Sequence, residues 1–365
     1  MSSSKSVLLV GGAGYLGCVL VEELLARGYE VKVFDRLFFG ELGLARVRDR
    51  IRLVAGDIRC MPDEVLRDVG AIVNLSGLSN DPTAEYNPKA NFEMNTEATR
   101  ILGEQAKAQG IRKYIFASSC SIYDVGVIDE DRDVVLTEES PVSPKAAYGR
   151  SKLEGEQALL ALADSSFSPV SLRMGTLFGF SPRMRYDLVV NTFVKDAMSK
   201  GYVTLHFGGQ MWRPLIDVRD AARAYILTLE ASDSSVGGQI LNVVNENYRI
   251  SELALRVRAG LADRDVPCDI RTTFDYAGIR NYRVSGRKIQ RLLNFSPLIS
   301  VQDSVRNIVD KVREYRYTDF DNPRYFNIRW MQLLEEIKQT VDITGTVFEM
   351  PDPAYLQSRS GGSKV

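Results

Sequence analysis

The run Val7-Leu8-Leu9-Val10 breaks directly into Gly11-Gly12-Ala13-Gly14-Tyr15-Leu16-Gly17, and this junction constrains the rest of the chain. A short apolar run that ends in glycine reads as a strand buried on both faces. The glycines are spaced G-x-x-G-x-x-G, and an amphipathic helix is expected from Tyr15 to about Arg27. Glycine suits these positions for physical reasons: a tight turn, backbone approach to a pyrophosphate, and near contact of helix with strand. The helix N-terminus then offers unpaired N–H groups and a positive dipole end to phosphate. A second apolar run, Glu30 to Phe34, ends at Asp35. That is roughly 20 residues past the glycines, where a carboxylate accepts hydrogen bonds from an adenosine ribose. The glycine spacing alone also fits an ordinary tight turn. Strand, helix, second strand and terminal Asp together predict a dinucleotide site.

A chain of 365 residues is long for one core and suggests one large domain with a smaller partner, or about two domains. The net charge is −1 and Lys and Arg are scattered, so no nucleic-acid or membrane surface is advertised. No apolar stretch approaches the ~18 residues that span a bilayer. Met1-Ser2-Ser3-Ser4-Lys5 runs straight into the first strand without a signal-type apolar core. Cys18, Cys60, Cys120 and Cys268 are dispersed, no C-x-x-C occurs, and His206 is the sole histidine. That pattern excludes a standard zinc site and argues against a disulfide framework. No metal is expected, and the expected compartment is the cytoplasm.

Strand and helix signals then alternate, as a parallel sheet covered on both faces requires. Arg52 to Ala55 reads as a third strand ending at Gly56-Asp57, where Asp57 either reaches an adenine amino group or caps a turn. Pro62 opens a short helix, and Ala71 to Leu75 is a fourth strand that breaks at Ser76-Gly77. Ser79-Asn80-Asp81-Pro82 is loop chemistry, and a long helix is expected from about Asn91 to Gln109. A fifth strand, Tyr114 to Ala117, delivers Ser118-Ser119-Cys120-Ser121 at its C-terminal end, where open parallel sheets bind ligands.

Tyr148-Gly149-Arg150-Ser151-Lys152 opens the next helix, and a spacing of four puts Tyr148 and Lys152 on one face. Such a pair is common as an exposed aromatic beside a lysine stem. It also has a chemical use: a tyrosine of pKa ~10 is a poor base at neutral pH, and an adjacent ammonium favours its phenolate.

Taken together, these residues resemble the extended short-chain dehydrogenase/reductases, specifically the nucleotide-sugar epimerases and dehydratases, from about Lys5 to Tyr315. The carriers are the glycine turn, Asp35, Asp57, the Ser119 region with Tyr123 four residues on, and Tyr148-x-x-x-Lys152. The resemblance implies an α/β fold, a Rossmann-type doubly wound parallel sheet with a smaller C-terminal substrate-binding domain. Residues 1–176 would hold NAD, rejoined by about 215–248. Residues 177–214 and 249–316 would hold substrate, and 317–365 would be an extension with a disordered tail. The catalytic set would be Ser119, Tyr148 and Lys152. NAD would lie against Gly11, Gly14, Tyr15, Leu16, Gly17, Asp35 and Arg36. It would continue along Asp57, Ile58, Leu75, Ser76, Gly77 and Asn95 to Tyr148 and Lys152. A nucleotide-diphosphate sugar would meet Ser79, Ser119, Cys120, Ser121 and Asn191, with Arg213 and Arg280 on its diphosphate. Arg173 would end the sixth strand, and a homodimer would pair the long helix with the helix that starts at Tyr148.

The family's 4,6-dehydratases carry acids on the loop after the fifth strand, whereas this chain has Ser119, Cys120 and Ser121. A thiol is a weak substitute for a carboxylic acid, and Cys120 is expected to fill a small buried space. Epimerisation at C4 by NAD is therefore the expected reaction. A keto-sugar reductase, a C3/C5 epimerase or a dehydratase stand as alternatives, and an NAD-binding scaffold or sensor is the non-enzymatic one. Asp35 opposes an NADP 2′-phosphate, although Arg36 lies beside it. His206 is not expected to act as a base.

Overall fold

The computed structural model describes residues 5–124, 134–274 and 280–344. The first four strands are β1 (Ser6–Val10), β2 (Glu30–Asp35), β3 (Ile51–Ala55) and β4 (Ala71–Asn74). They are followed by β5 (Lys113–Ser119), the short β6 (Val135–Leu136), β7 (Ser168–Met174) and β8 (Thr176–Phe178). The last six are β9 (Tyr202–His206), β10 (Trp212–Asp217), β11 (Ile240–Val243), β12 (Glu246–Arg249), β13 (Asp269–Thr273) and β14 (Arg283–Val284). Seven of them form one sheet in the order β11-β7-β5-β4-β1-β2-β3. All of its pairings are parallel. Chain order reverses between β1 and β4, so the crevice that such a sheet offers a ligand opens above those two strands.

Burial explains why the strands read as unbroken apolar runs. Val7, Leu9, Val33 and Val73 pack into one core with α1 (Tyr15–Ala26), while Leu8, Val10, Ile72 and Phe116 face a second core on the other side. Beyond β4, Asn80 caps α2 (Asp81–Tyr86) by accepting from the Thr83 N–H, so the expected loop at Ser79 to Pro82 turns into a helix at Asp81. The reason is local: Pro82 sits in the first turn, where its missing N–H costs nothing. The expected long helix is three joined pieces, α3 (Pro88–Phe92), a π-helical turn over Glu93–Glu97, and α4 (Ala98–Ala108). Tyr148 and Lys152 lie in α5 (Ala147–Leu160).

A separate apolar core unites α6 (Val189–Lys200) with β9 and later helices. The chain returns to the large sheet through α7 (Val218–Glu230), the single turn α8 (Asp233–Val236) and strand β11. Strand β10 itself joins β8 and β12 in a three-stranded sheet. Next come α9 (Ile250–Ala262), α10 (Arg287–Leu293) and α11 (Val301–Glu314). Tyr325 and Phe326, from the stretch expected to be an appendage, are buried in the same core as α6, α9 and α11. Helix α12 (Asn327–Thr344) completes the described chain. The expected disordered tail lies outside the described residues. Among the described residues no helix is long and apolar enough to cross a membrane.

Candidate active site

The cleft above the β1–β4 boundary is floored by the glycine turn. Gly11 adopts φ +81°, and a Cβ there would stand 2.9 Å from the Ser76 backbone nitrogen. A Cβ on Gly17 would lie 2.5 Å from the Gly11 carbonyl oxygen, so α1 packs directly on the turn. Gly14 precedes α1 and no side chain caps the helix, which leaves its first N–H groups for an incoming anion. Asp35 braces the turn: its carboxylate accepts from the Ala13 N–H at 2.9 Å and the Leu37 N–H at 2.7 Å. Each oxygen retains a lone pair for a ribose hydroxyl. This cradle fits the diphosphate and ribose of a dinucleotide.

Asp57 lies on the cleft wall, where it also caps a 3-10 turn by accepting from the Arg59 N–H at 3.0 Å. Its carboxylate is further held by the Arg59 guanidinium and by Arg36 at 2.9 Å. Of the two roles open to it, the cap is the one its bonds display. Ile58, Leu75, Ser76, Gly77 and Ser79 also reach the wall. Asn95 does not. It is buried in the π-helical turn and donates to the Leu78 carbonyl, Asn91 Oδ1 and Ser151 Oγ, which ties the Gly77 loop to α5 from behind. A Cβ on Gly77 would collide with its Oδ1, so loop and asparagine fix one another.

Ser119, Tyr148 and Lys152 converge on the cleft. Burial pushes the Tyr148 phenol up, while a hydrogen bond with Ser119 and the charges of Arg280 and Arg185 pull it down. The Arg280 guanidinium lies 6.0 Å from the centre of the Tyr148 ring. Lys152 is 4% exposed, its ammonium sits 4.9 Å from the Phe116 ring centre, and burial lowers its pKa to about 8. The sequence pattern offers Lys152 as the phenol's positive neighbour; in the folded chain the cations that pull the phenol down are two arginines from remote segments.

The remaining expected substrate contacts divide. Arg280 is on the wall, paired with Asp81 and 3.7 Å from Asp124. Cys120 and Ser121 turn away: the thiol is buried and donates to the Arg173 carbonyl at 3.2 Å, and burial pushes its pKa up. Arg173 is the penultimate residue of β7, where it pairs with Glu156 at 2.6 Å and donates to the Tyr123 hydroxyl, bracing this loop from below. Asn191 is spent within the protein, accepting from the Gly179 N–H and donating to Tyr15 Oη and the Arg185 carbonyl. Arg213 donates to the Trp212 carbonyl at 2.8 Å and does not reach the wall. His206 is exposed at the end of β9.

Several wall residues were not foreseen as site residues. Arg185 makes a two-pronged pair with Asp187 at 2.8 and 3.1 Å and donates to Ser79 Oγ at 3.3 Å. Arg183 joins it, and Asn327 and Met331 arrive from α12. The alternation Arg183-Met184-Arg185-Tyr186-Asp187 was the available signal, since three charges inside an apolar segment need partners when buried. Among the described residues no cluster of three or more His, Cys, Asp or Glu is gathered as for a metal ion.

Comparison with known proteins accords with this geometry. The profile described as the NAD dependent epimerase/dehydratase family matches residues 7–243. A UDP-N-acetyl-alpha-D-glucosaminuronate decarboxylase of Bacillus cytotoxicus is 24% identical over 329 residues, covering 85% of this chain and 98% of that protein. UDP-glucose 4-epimerase of Bacillus subtilis is 26% identical over 292 residues, covering 72% and 84% respectively. Among solved structures, the dTDP-glucose 4,6-dehydratase DesIV of Streptomyces venezuelae, a double mutant with NAD bound, superposes with a TM-score of 0.74 at 26% identity. That match covers 85% of this chain and 98% of DesIV.

Proposed function

The chain belongs to the NAD dependent epimerase/dehydratase family, and from that premise we propose that it epimerises a nucleotide-diphosphate sugar at C4 through a transient keto sugar. One observation carries the reading: Tyr148 and Lys152 share a cleft wall with Ser119, whose hydroxyl bonds the phenol. NAD, when bound, supplies the acceptor for a hydride from the sugar carbon and the donor that returns it. Tyr148 takes the hydroxyl proton as that carbon is oxidised and gives it back on reduction. Ser119 Oγ already accepts from the Ser121 N–H at 3.1 Å, so its own proton is free for the sugar oxygen or the phenolate. Lys152, with its pKa near 8, remains an ammonium at neutral pH and supports the phenolate.

Dehydration is disfavoured by the loop after β5. Eliminating water calls for an acid beside Ser119, and those positions carry Cys120 and Ser121, the thiol bonded to a backbone carbonyl. We further infer a homodimer paired through α4 and α5, where Ile101, Leu153 and Leu160 are only half-buried; light scattering giving a monomer mass would refute it.

Tyr148→Phe is expected to cut turnover by about 10³-fold while NAD binding stays nearly intact. The substrate is found by incubating UDP-, GDP-, dTDP- and CDP-sugars with the protein and recording NMR spectra of the best binder. Inversion at C4 without net consumption of NAD supports the reading. Full activity in Tyr148→Phe, or a product that has lost water or carbon dioxide, overturns it.

A further inference from the structure

Among the described residues, Arg183 is a buried cation with no carboxylate paired to it. The residue is 7% exposed on the cleft wall, and its Nε has no hydrogen-bond partner. One terminal nitrogen donates to Asn327 Oδ1 at 2.6 Å, and the guanidinium lies 3.6 Å from the centre of the Phe39 ring. Burial pulls its pKa down to about 9, and the more distant Asp35 and Asp187 offset this only in part. A desolvated guanidinium without an ion-pair partner is costly, and one that lines a cavity is completed by an anion.

The surroundings select which anion. The Arg183 backbone N–H approaches the Cys18 thiol in the first turn of α1, and Phe39 belongs to the loop after β2. These elements flank the glycine turn, where a dinucleotide places its diphosphate. We propose that Arg183 clamps the diphosphate of NAD from across the glycine turn, and that Asn327 of the C-terminal extension holds the clamp in place. The inference rests on reading the cleft as the NAD site.

Asn327 is built into both sides of the cleft. Its Nδ2 donates to Ser79 Oγ at 2.8 Å and its backbone N–H donates to Asp187 Oδ2 at 3.1 Å. Further along α12, the Trp330 indole donates to the Phe38 carbonyl, and the Tyr86 hydroxyl donates to Glu335 at 2.7 Å. The extension thus straps the loop after β2 to the region of α2, and its first helical residue grips the guanidinium. Cofactor retention becomes a property of a segment more than 300 positions away from the glycine turn in sequence.

Calorimetric titration of cofactor-stripped protein tests the clamp. NAD, ADP-ribose and adenosine are titrated into wild type, Arg183→Gln and Asn327→Asp, and UDP into the NAD-loaded forms, with melting temperatures recorded throughout. Arg183→Gln is expected to weaken NAD and ADP-ribose roughly tenfold or more and to leave adenosine unchanged. Asn327→Asp gives the guanidinium a carboxylate within the protein, so it should weaken NAD while the melting temperature holds or rises. If Arg183→Gln does not fold, Asn327→Asp decides alone. Unchanged NAD affinity, an equal loss for adenosine, or a loss confined to UDP overturns the clamp. A wild type that binds no NAD removes the cofactor reading and the clamp together, whereas tight NAD binding in both variants removes the clamp only.

Discussion

The glycine-turn wall of the cleft comes from one continuous stretch, residues 7–36, whereas the facing wall gathers Ser79, Arg183, Arg185, Asp187 and Asn327 from three separate stretches. The first wall presents backbone N–H groups held by close packing of glycine on carbonyl. The second presents charged side chains whose buried state depends on one another, as the Arg185–Asp187 pair and the Asn327 bridge do. A wall made of backbone fails when it is crowded. One made of buried charge fails when a partner is removed. Arg185→Met should therefore have the largest effect, since it strands Asp187 and costs about 4 kcal/mol of stability. The double variant Arg185→Met/Asp187→Leu should recover much of that loss, as urea denaturation of both will show. A cost below about 1 kcal/mol for the single change would mean that this pair behaves as a surface ion pair, and the contrast between the walls would fail.

Crowding tests the other wall. Gly17→Ala places a methyl 2.5 Å from the Gly11 carbonyl oxygen and 2.6 Å from Gly12 Cα, and both of these are backbone atoms with no side chain to yield. A loss of about 3 kcal/mol is expected, and NAD affinity should fall with it because the turn must move. Wild-type NAD affinity in that variant would show that the floor of the cleft has slack that the packing does not suggest.

The same division governs what could be read from the chain before folding. The requirement for glycine at Gly11 and Gly17 is local, and so is the placement of Tyr148 and Lys152 on one helical face; both therefore leave a mark in sequence spacing. Asp57 illustrates the limit, because a cap and a ligand use the same carboxylate at the same strand end, and only the position of Arg59 distinguishes them. Asn191 and Arg213 were expected to face a nucleotide, yet Asn191 bonds backbone groups of Gly179 and Arg185 that the folded segment brings near, and Arg213 turns back on the carbonyl of its own neighbour Trp212. For Arg183 the alternation of charges points to a buried cation but not to its partner, since Asn327 lies 144 positions downstream. The glycine turn, Asp35 and Arg36 line the cleft where the family resemblance implies, because their geometry is set within one local stretch. The resemblance said nothing of α12, which lies in the part of the chain where it had already ended.

Lys152 joins the two behaviours, being a motif residue on the cofactor side whose charge is buried. Its folded pKa, about 8, lies below the ordinary lysine value of 10.5, and burial is the cause. A base with a depressed folded pKa binds a proton more weakly in the native protein than in the unfolded chain. Below about pH 8 both states carry the charge and the native state bears its full desolvation cost; as pH rises from about 8 toward 10.5 the native lysine is already neutral and that cost disappears. Lys152→Met, of similar length and without charge, should therefore stabilise the cofactor-free protein by about 1–2 kcal/mol at pH 7. The advantage should shrink steadily between pH 8 and 10.5, measured by urea denaturation of both proteins at each pH. The same variant should lose turnover, because the ammonium that shares the cleft wall with the phenol is gone. An advantage that stays constant across this range would mean that the lysine's packing, not its charge, sets the difference, and the cofactor side would then hold no charge-dependent element of its own.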